Sequence, residues 1–112
     1  MLIYKIMTAS QWSTFQKSGQ FTGAPVDLAD GFIHFSTAAQ MRETAAKHFA
    51  GANDLVLVWG EDGPLGAELK WEVSRGGAKF PHLFRDWQLS EVTDHAPLPL
   101  IDGAHRFPDG HA

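Results

Sequence analysis

Two histidines stand where apolar residues would be expected, and each has polar company at a useful spacing. In DGFIHFSTAAQ, Asp30 to Gln40, His34 lies between Ile33 and Phe35 in a stretch that otherwise reads as a buried strand. Alternation puts Phe32, His34 and Ser36 on one face. A histidine and a serine two apart on a strand offer an imidazole and a hydroxyl to the same cleft, suited to acid–base work or ligand binding. The alternative is a core imidazole that satisfies one backbone carbonyl and does nothing else. In KFPHLF, Pro81 stiffens the backbone and biases Phe80 to an extended shape, so His82 is held between apolar anchors. That suits a positioned imidazole, and equally an edge strand with one polar residue toward water.

Other groups could join them. Glu72, in ELKWEV, can act as general base or ribose ligand if neighbouring strands form a cleft; the plainer reading is a solvated face alternating Glu, Lys and Glu. Arg85 follows His82 closely and could bind a phosphate or carboxylate, although an isolated arginine is usually surface. His48 reads as a helix-to-sheet contact, and His95, His105 and His111 as incidental. Six histidines do not make a metal site by number alone. There is no His-Glu-x-x-His, no His-x-His and no oxygen-rich loop, and zero cysteines remove thiolate ligands and thiol nucleophiles. No metal is expected. Ser36 lies in no nucleophile elbow, and GEDGPLG lacks the lysine and helix start of a phosphate-cradling loop.

The elements that must hold these residues are legible from periodicity. Leu2–Met7 is β-rich and stops at TASQ, where Thr8 and Gln11 have capping-box spacing. A short helix follows with Ala9, Trp12 and Phe15 on one face, ended by Gly19. QFTGAPVDLADG reads as polar turns, with Phe21 and Val26 able to touch the core. After the Gly31–Ser36 strand, TAAQ repeats the capping device and opens a helix to about Phe49, with Ala38, Met41, Ala45 and Phe49 as its buried stripe. DLVLVWG is a central strand covered on both faces. ELKWEV alternates as a half-exposed strand, with Leu69, Trp71 and Val73 together, and Trp87–Val92 is a last strand. Two early helices before a block of strands predict an α+β domain. Residues 1–95 form that single small domain, and 96–112, rich in Pro and Gly, wrap over it or fray.

Composition narrows the function classes. The 112 residues suit one domain with a modest core, 44% hydrophobic and 20% charged. Nine basic against 13 acidic residues, net charge −4, argue against general nucleic-acid binding, while a local pocket for one phosphate stays open. No apolar run is long enough to span a bilayer and no secretory signal is visible, so the cytoplasm is the default and no membrane partner is expected. Oligomeric state is not legible.

IYKI, DGFIHFSTAAQ, His48–Phe49 and KFPHLF, in order from Ile3 to about Val92, resemble the small bacterial family called domain of unknown function 952. That family looks like an outlying member of the ADP-ribosyltransferase superfamily. The resemblance implies split, antiparallel-rich β-sheets holding NAD in a cleft. GFIHFS falls where that superfamily places a strand beside the nicotinamide, often resembling GIYFA, and Ile33–Ser36 resembles a VHLS-like segment of bacterial RNA 2′-phosphotransferases. Where a His or Arg commonly faces NAD from the first strand, this chain has Tyr4 and Lys5. The late catalytic carboxylate corresponds to Glu72 or Glu91, and Phe84-Arg85 replaces the family's usual Tyr-Gly after FPHL. The resemblance thus implies an NAD-using transferase with NAD as co-substrate. His34, His82 and Glu72 would be catalytic, and Ser36, Lys5, Phe32 and Arg85 would bind the nucleotide. The competing readings are a non-catalytic nucleotide- or metabolite-binding protein on the same fold and a small hydrolase using His34 and His82.

Overall fold

A computed structural model describes residues 1–111. Strand β1, Leu2–Thr8, ends where Thr8 Oγ1 accepts the Gln11 N–H at 3.0 Å and the Gln11 side chain accepts the Thr8 N–H at 2.9 Å. This is the reciprocal cap expected of TASQ. Helix α1, Ala9–Ser18, buries Trp12 and Phe15, leaves Ala9 exposed and stops at Gly19 in the left-handed conformation, φ 82°. A two-residue strand β2, Gln20–Phe21, leads into a short helix α2, Pro25–Asp30. β3, Ile33–His34, is followed by a 3-10 turn at Ala38–Gln40 and helix α3, Met41–His48. Then come β4, Leu55–Glu61; β5, Leu69–Val73; β6, Lys79–Leu83; and β7, Trp87–Gln88. β8, Asp94–Leu98, and a small hairpin of β9, Leu100–Ile101, and β10, Ala104–His105, finish the chain.

The fold is α+β with antiparallel sheets. One sheet has the order β1–β4–β8, another β3–β6–β5, and β2 pairs with β7. β4 is the central strand its unbroken apolar run predicts. Adjacent Leu57 and Val58 point to opposite faces, and both are fully buried in separate apolar clusters. The two three-stranded sheets meet at a seam. Tyr4 and Ser36 exchange both backbone hydrogen bonds, at 2.8 and 2.9 Å, so the chain leaving β3 attaches to β1. Near its end, β4 passes so close to the Leu89–Glu91 turn that a Cβ at Gly60 would lie 2.5 Å from the Glu91 carbonyl oxygen.

Several expectations change. The polar segment before β3 contains α2, and Val26 is 57% exposed while Asp27 is buried. β5 does not divide into one buried and one exposed face: Leu69 packs against the core and Glu72 turns toward His82, while Lys70, Trp71 and Val73 are exposed, because the strand is a sheet edge. β6 is the middle strand of its sheet. The Trp87–Val92 strand is only two residues long, because Leu89–Glu91 turns in a 3-10 helix that lets Glu91 meet Arg85. The sheet runs past residue 95, since β8 pairs with β4, and the remaining tail wraps. Phe107 is buried, and His111 stacks on Trp59 and bonds the Tyr4 hydroxyl at 2.7 Å. No helix among the described residues is long and apolar enough to cross a membrane.

Candidate functional site

The seam between the sheets is where the polar residues collect, and Asp27 organises them. α2 starts at Pro25, whose missing N–H costs nothing at a helix start. Two residues on, Asp27 Oδ2 accepts the Ala24 N–H at 2.7 Å. Gly31 ends the helix in the left-handed conformation, φ 84°, and turns the chain into β3. The Asp27 carboxylate therefore lies under β3, with a side chain 1% exposed. Oδ1 accepts the His34 N–H at 3.1 Å, meets His34 Nδ1 at 2.6 Å and meets Lys5 Nζ at 3.0 Å; Oδ2 is 2.9 Å from the same ammonium. Lys5 also donates to the His34 carbonyl at 2.9 Å.

The energetics follow from these contacts. Burial by itself raises the Asp27 pKa, but the His34 hydrogen bond, the Lys5 charge and the Ala24 N–H outweigh it and hold the group at about 2. Burial lowers the pKa of Lys5, and the charge and hydrogen bond of Asp27 oppose that. An ionised carboxylate can only accept, so Asp27 fixes His34 with a proton on Nδ1. His34 Nε2 points outward, 2.9 Å from Asp30 Oδ2 at the exposed end of α2.

His82 is arranged in parallel on β6. Its Nδ1 is 2.9 Å from Glu72 Oε1 on β5, and its ring stacks on Phe32 with centroids 4.1 Å apart. The His34 and His82 rings meet edge to face at 5.4 Å, as their cross-strand pairing in β3 and β6 requires. Both line a cavity of about 500 Å³ between β1, α2, α3 and the seam, together with Lys5, Ser36, Asp30 and Thr44. That volume suits a small organic ligand. Ser36 Oγ is 3.0 Å from Thr44 Oγ1, so two hydroxyls sit side by side in the wall.

Of the residues expected from sequence, His34, His82, Ser36 and Lys5 share the cavity wall. Phe32 stacks behind the imidazoles, and Glu72 stands behind His82 instead of lining the cavity. Arg85 is elsewhere: it pairs with Glu91 at 2.8 Å and Glu68 at 3.1 Å. The Glu91 hydrogen bond raises the Arg85 pKa, and the same bond lowers that of Glu91; neither residue lines the cavity. Sequence reasoning missed Asp27 and Asp30. Their signal was Pro25 at a helix start, an acidic residue two positions later and glycine just past the end. Among the described residues, no group of three or more His, Cys, Asp or Glu is placed to hold a metal ion.

The protein is thus an α+β domain with antiparallel sheets and a cavity walled by two carboxylate-bound histidines. The chain belongs to the DUF952 family, described as proteins of unknown function, which matches residues 6–95. It is similar to the crystal structure of protein CC0527 from Caulobacter crescentus, at 53% identity and a TM-score of 0.91, covering 95% of this chain and 94% of that one. The solution structure of CC0527 is similar at 53% identity and a TM-score of 0.84, over 93% and 90% of the two chains. No curated protein matches the chain.

Proposed function

We propose that the cavity binds a nucleotide, with NAD or a compound containing ADP-ribose as the ligand, and that His34 contacts its ribose. The observation that carries this reading is that His34 is not packed away. Its ring is 30% exposed and lines the cavity, with Nδ1 held by the buried Asp27 carboxylate and Nε2 at the rim, 2.9 Å from Asp30 Oδ2, where a ligand would share or displace that contact. The resemblance of GFIHFS to a nicotinamide-side strand gives the ligand class. Ser36 and Thr44 would hydrogen-bond ribose hydroxyls. Asp30, at the rim and 2.9 Å from His34 Nε2, would face the positive charge developing on the ribose as nicotinamide leaves. That role passes to Asp30 from Glu72, which orients His82.

A second reading has its own support. His34 and His82 face each other with both Nδ1 atoms on carboxylates, an arrangement suited to hydrolysis with one imidazole as base and the other as acid. Calorimetric titration with NAD, ADP-ribose and nicotinamide distinguishes the readings. Binding in the millimolar range or tighter, weakened in His34→Ala, supports the nucleotide site. Nicotinamide release lost in the same variant makes it a transferase or NAD hydrolase, and binding without turnover makes it a nucleotide-binding protein. No binding by any of the three ends the nucleotide reading and leaves the two-histidine hydrolase.

A further inference from the structure

On the other side of β6, β5 forms a sheet edge that pairs with no further strand among the described residues. Hydrogen-bond directions along β6 show which β5 groups are free. Phe35 N–H donates to the Pro81 carbonyl, so Pro81 faces β3; Phe84 N–H donates to the Glu68 carbonyl, so residues 80, 82 and 84 face β5. Lys70 and Glu72, opposite His82 and Phe80, therefore spend their backbone groups inward. Leu69, Trp71 and Val73 present theirs outward, and among the described residues only the Leu69 N–H is used, on Gly66. At this edge Trp71 is 37% and Val73 66% exposed. A bare strand of this kind is a template for another strand.

The side chains say which strand fits. From the free groups and the charge order, we infer that β5 pairs antiparallel with β5 of a second copy, about a two-fold axis at Trp71. In that register Trp71 faces its own copy as a hydrogen-bonded pair, and Val73 N–H meets the free Leu69 carbonyl, giving four ladder bonds. Trp71 stacks beside Trp71, and Leu69 lies opposite Val73. Lys70 of each copy falls opposite Glu72 of the other in the non-hydrogen-bonded positions, where Cα atoms approach to about 4.5 Å and side chains are closest. A lysine protects an edge when it would meet another lysine; here the Lys-x-Glu order makes the edge complementary to itself. Glu72 also holds His82, so the second copy places its Lys70 against the carboxylate behind the cavity. The pairing does not depend on what the cavity binds.

Sedimentation equilibrium of the full chain across a concentration series tests this, with circular dichroism confirming that each variant folds. The wild-type chain dimerises. Lys70→Glu turns two attractive cross-strand pairs into two repulsive ones and weakens the dimer by about tenfold or more. The double variant Lys70→Glu/Glu72→Lys restores it. Amide exchange supplies the register: Trp71 and Val73 N–H gain protection as concentration rises, while Lys70 and Glu72 N–H are protected throughout. A chain that stays monomeric overturns the inference. So does a dimer indifferent to Lys70→Glu or unrestored by the double variant, or one formed without protection at Trp71 and Val73.

Discussion

Asp27→Asn tests whether a buried carboxylate organises the site. The substitution keeps shape and removes charge. Every neighbour of the carboxylate is a donor: Ala24 N–H, His34 N–H, His34 Nδ1–H and the Lys5 ammonium. Whichever way the asparagine amide turns, its NH2 faces a donor, and Lys5 keeps a buried charge without its counter-ion. Removing one partner of a buried pair costs about 3–5 kcal/mol. Lys5 retains the His34 carbonyl and can release its proton, so the lower end, ~3 kcal/mol, applies. For a domain of this size that lowers the thermal midpoint by more than about 10 °C. The deficit also depends on pH. Without Asp27, burial lowers the Lys5 pKa further, the unfolded chain binds more protons, and the variant recovers stability as pH rises. Urea unfolding at a series of pH values measures both effects, and Lys5→Met combined with Asp27→Asn should cost less than the two losses summed. A loss below about 1 kcal/mol, or one unchanged by pH and additive with Lys5→Met, refutes the reasoning.

Other outcomes follow from the same contacts. Asp27 is depressed from 3.8 to about 2, so its contribution of about 2 kcal/mol is complete above about pH 4 and lost as pH falls through 2. Urea midpoints over that window should fall more steeply for the wild type than for Asp27→Asn. Long-range nitrogen–proton NMR should find a proton on His34 Nδ1; a ring protonated on Nε2 alone contradicts the Asp27 contact. Phe107→Ala removes a buried ring over which Arg42 lies 5.0 Å from the centroid and should cost ~3 kcal/mol by calorimetry. A smaller loss, within about 0.5 kcal/mol, would mean that the tail is not part of the core.

Legibility of the sequence varied with how local the cause was. The Thr8–Gln11 cap, the Gly19 stop and the doubly covered β4 are set by neighbours within one turn or one strand, and periodicity finds them. At Thr37 half the device forms: the Gln40 side chain accepts the Thr37 N–H at 2.9 Å, while a 3-10 turn precedes the α-helix proper. α2 escaped because its pattern is inverted, with Val26 and Leu28 in solvent and Asp27 inside. Burial statistics read such a segment as a loop. β5 escaped in a subtler way. Its alternation is visible in the sequence, but which residues are covered depends on its lying at a sheet edge beside His82, so that Leu69 and Glu72 are partly buried on opposite faces.

By itself the sequence determined that His34 and His82 are polar residues fixed on strands among apolar neighbours, since backbone alternation and Pro81 act within a few residues. Tertiary structure alone decided that the two rings meet, because β3 and β6 are nearly fifty residues apart in the chain and pair only through sheet register. It also decided which carboxylate holds each ring. Asp27 reaches His34 because Gly31 reverses the chain beneath β3, and Glu72 reaches His82 across a strand pair. Lys5 joins them only because β1 meets the chain after β3 at the Tyr4–Ser36 seam. A chain-local pattern can prepare a side chain for chemistry; the partners that set its protonation come from the packing of distant elements.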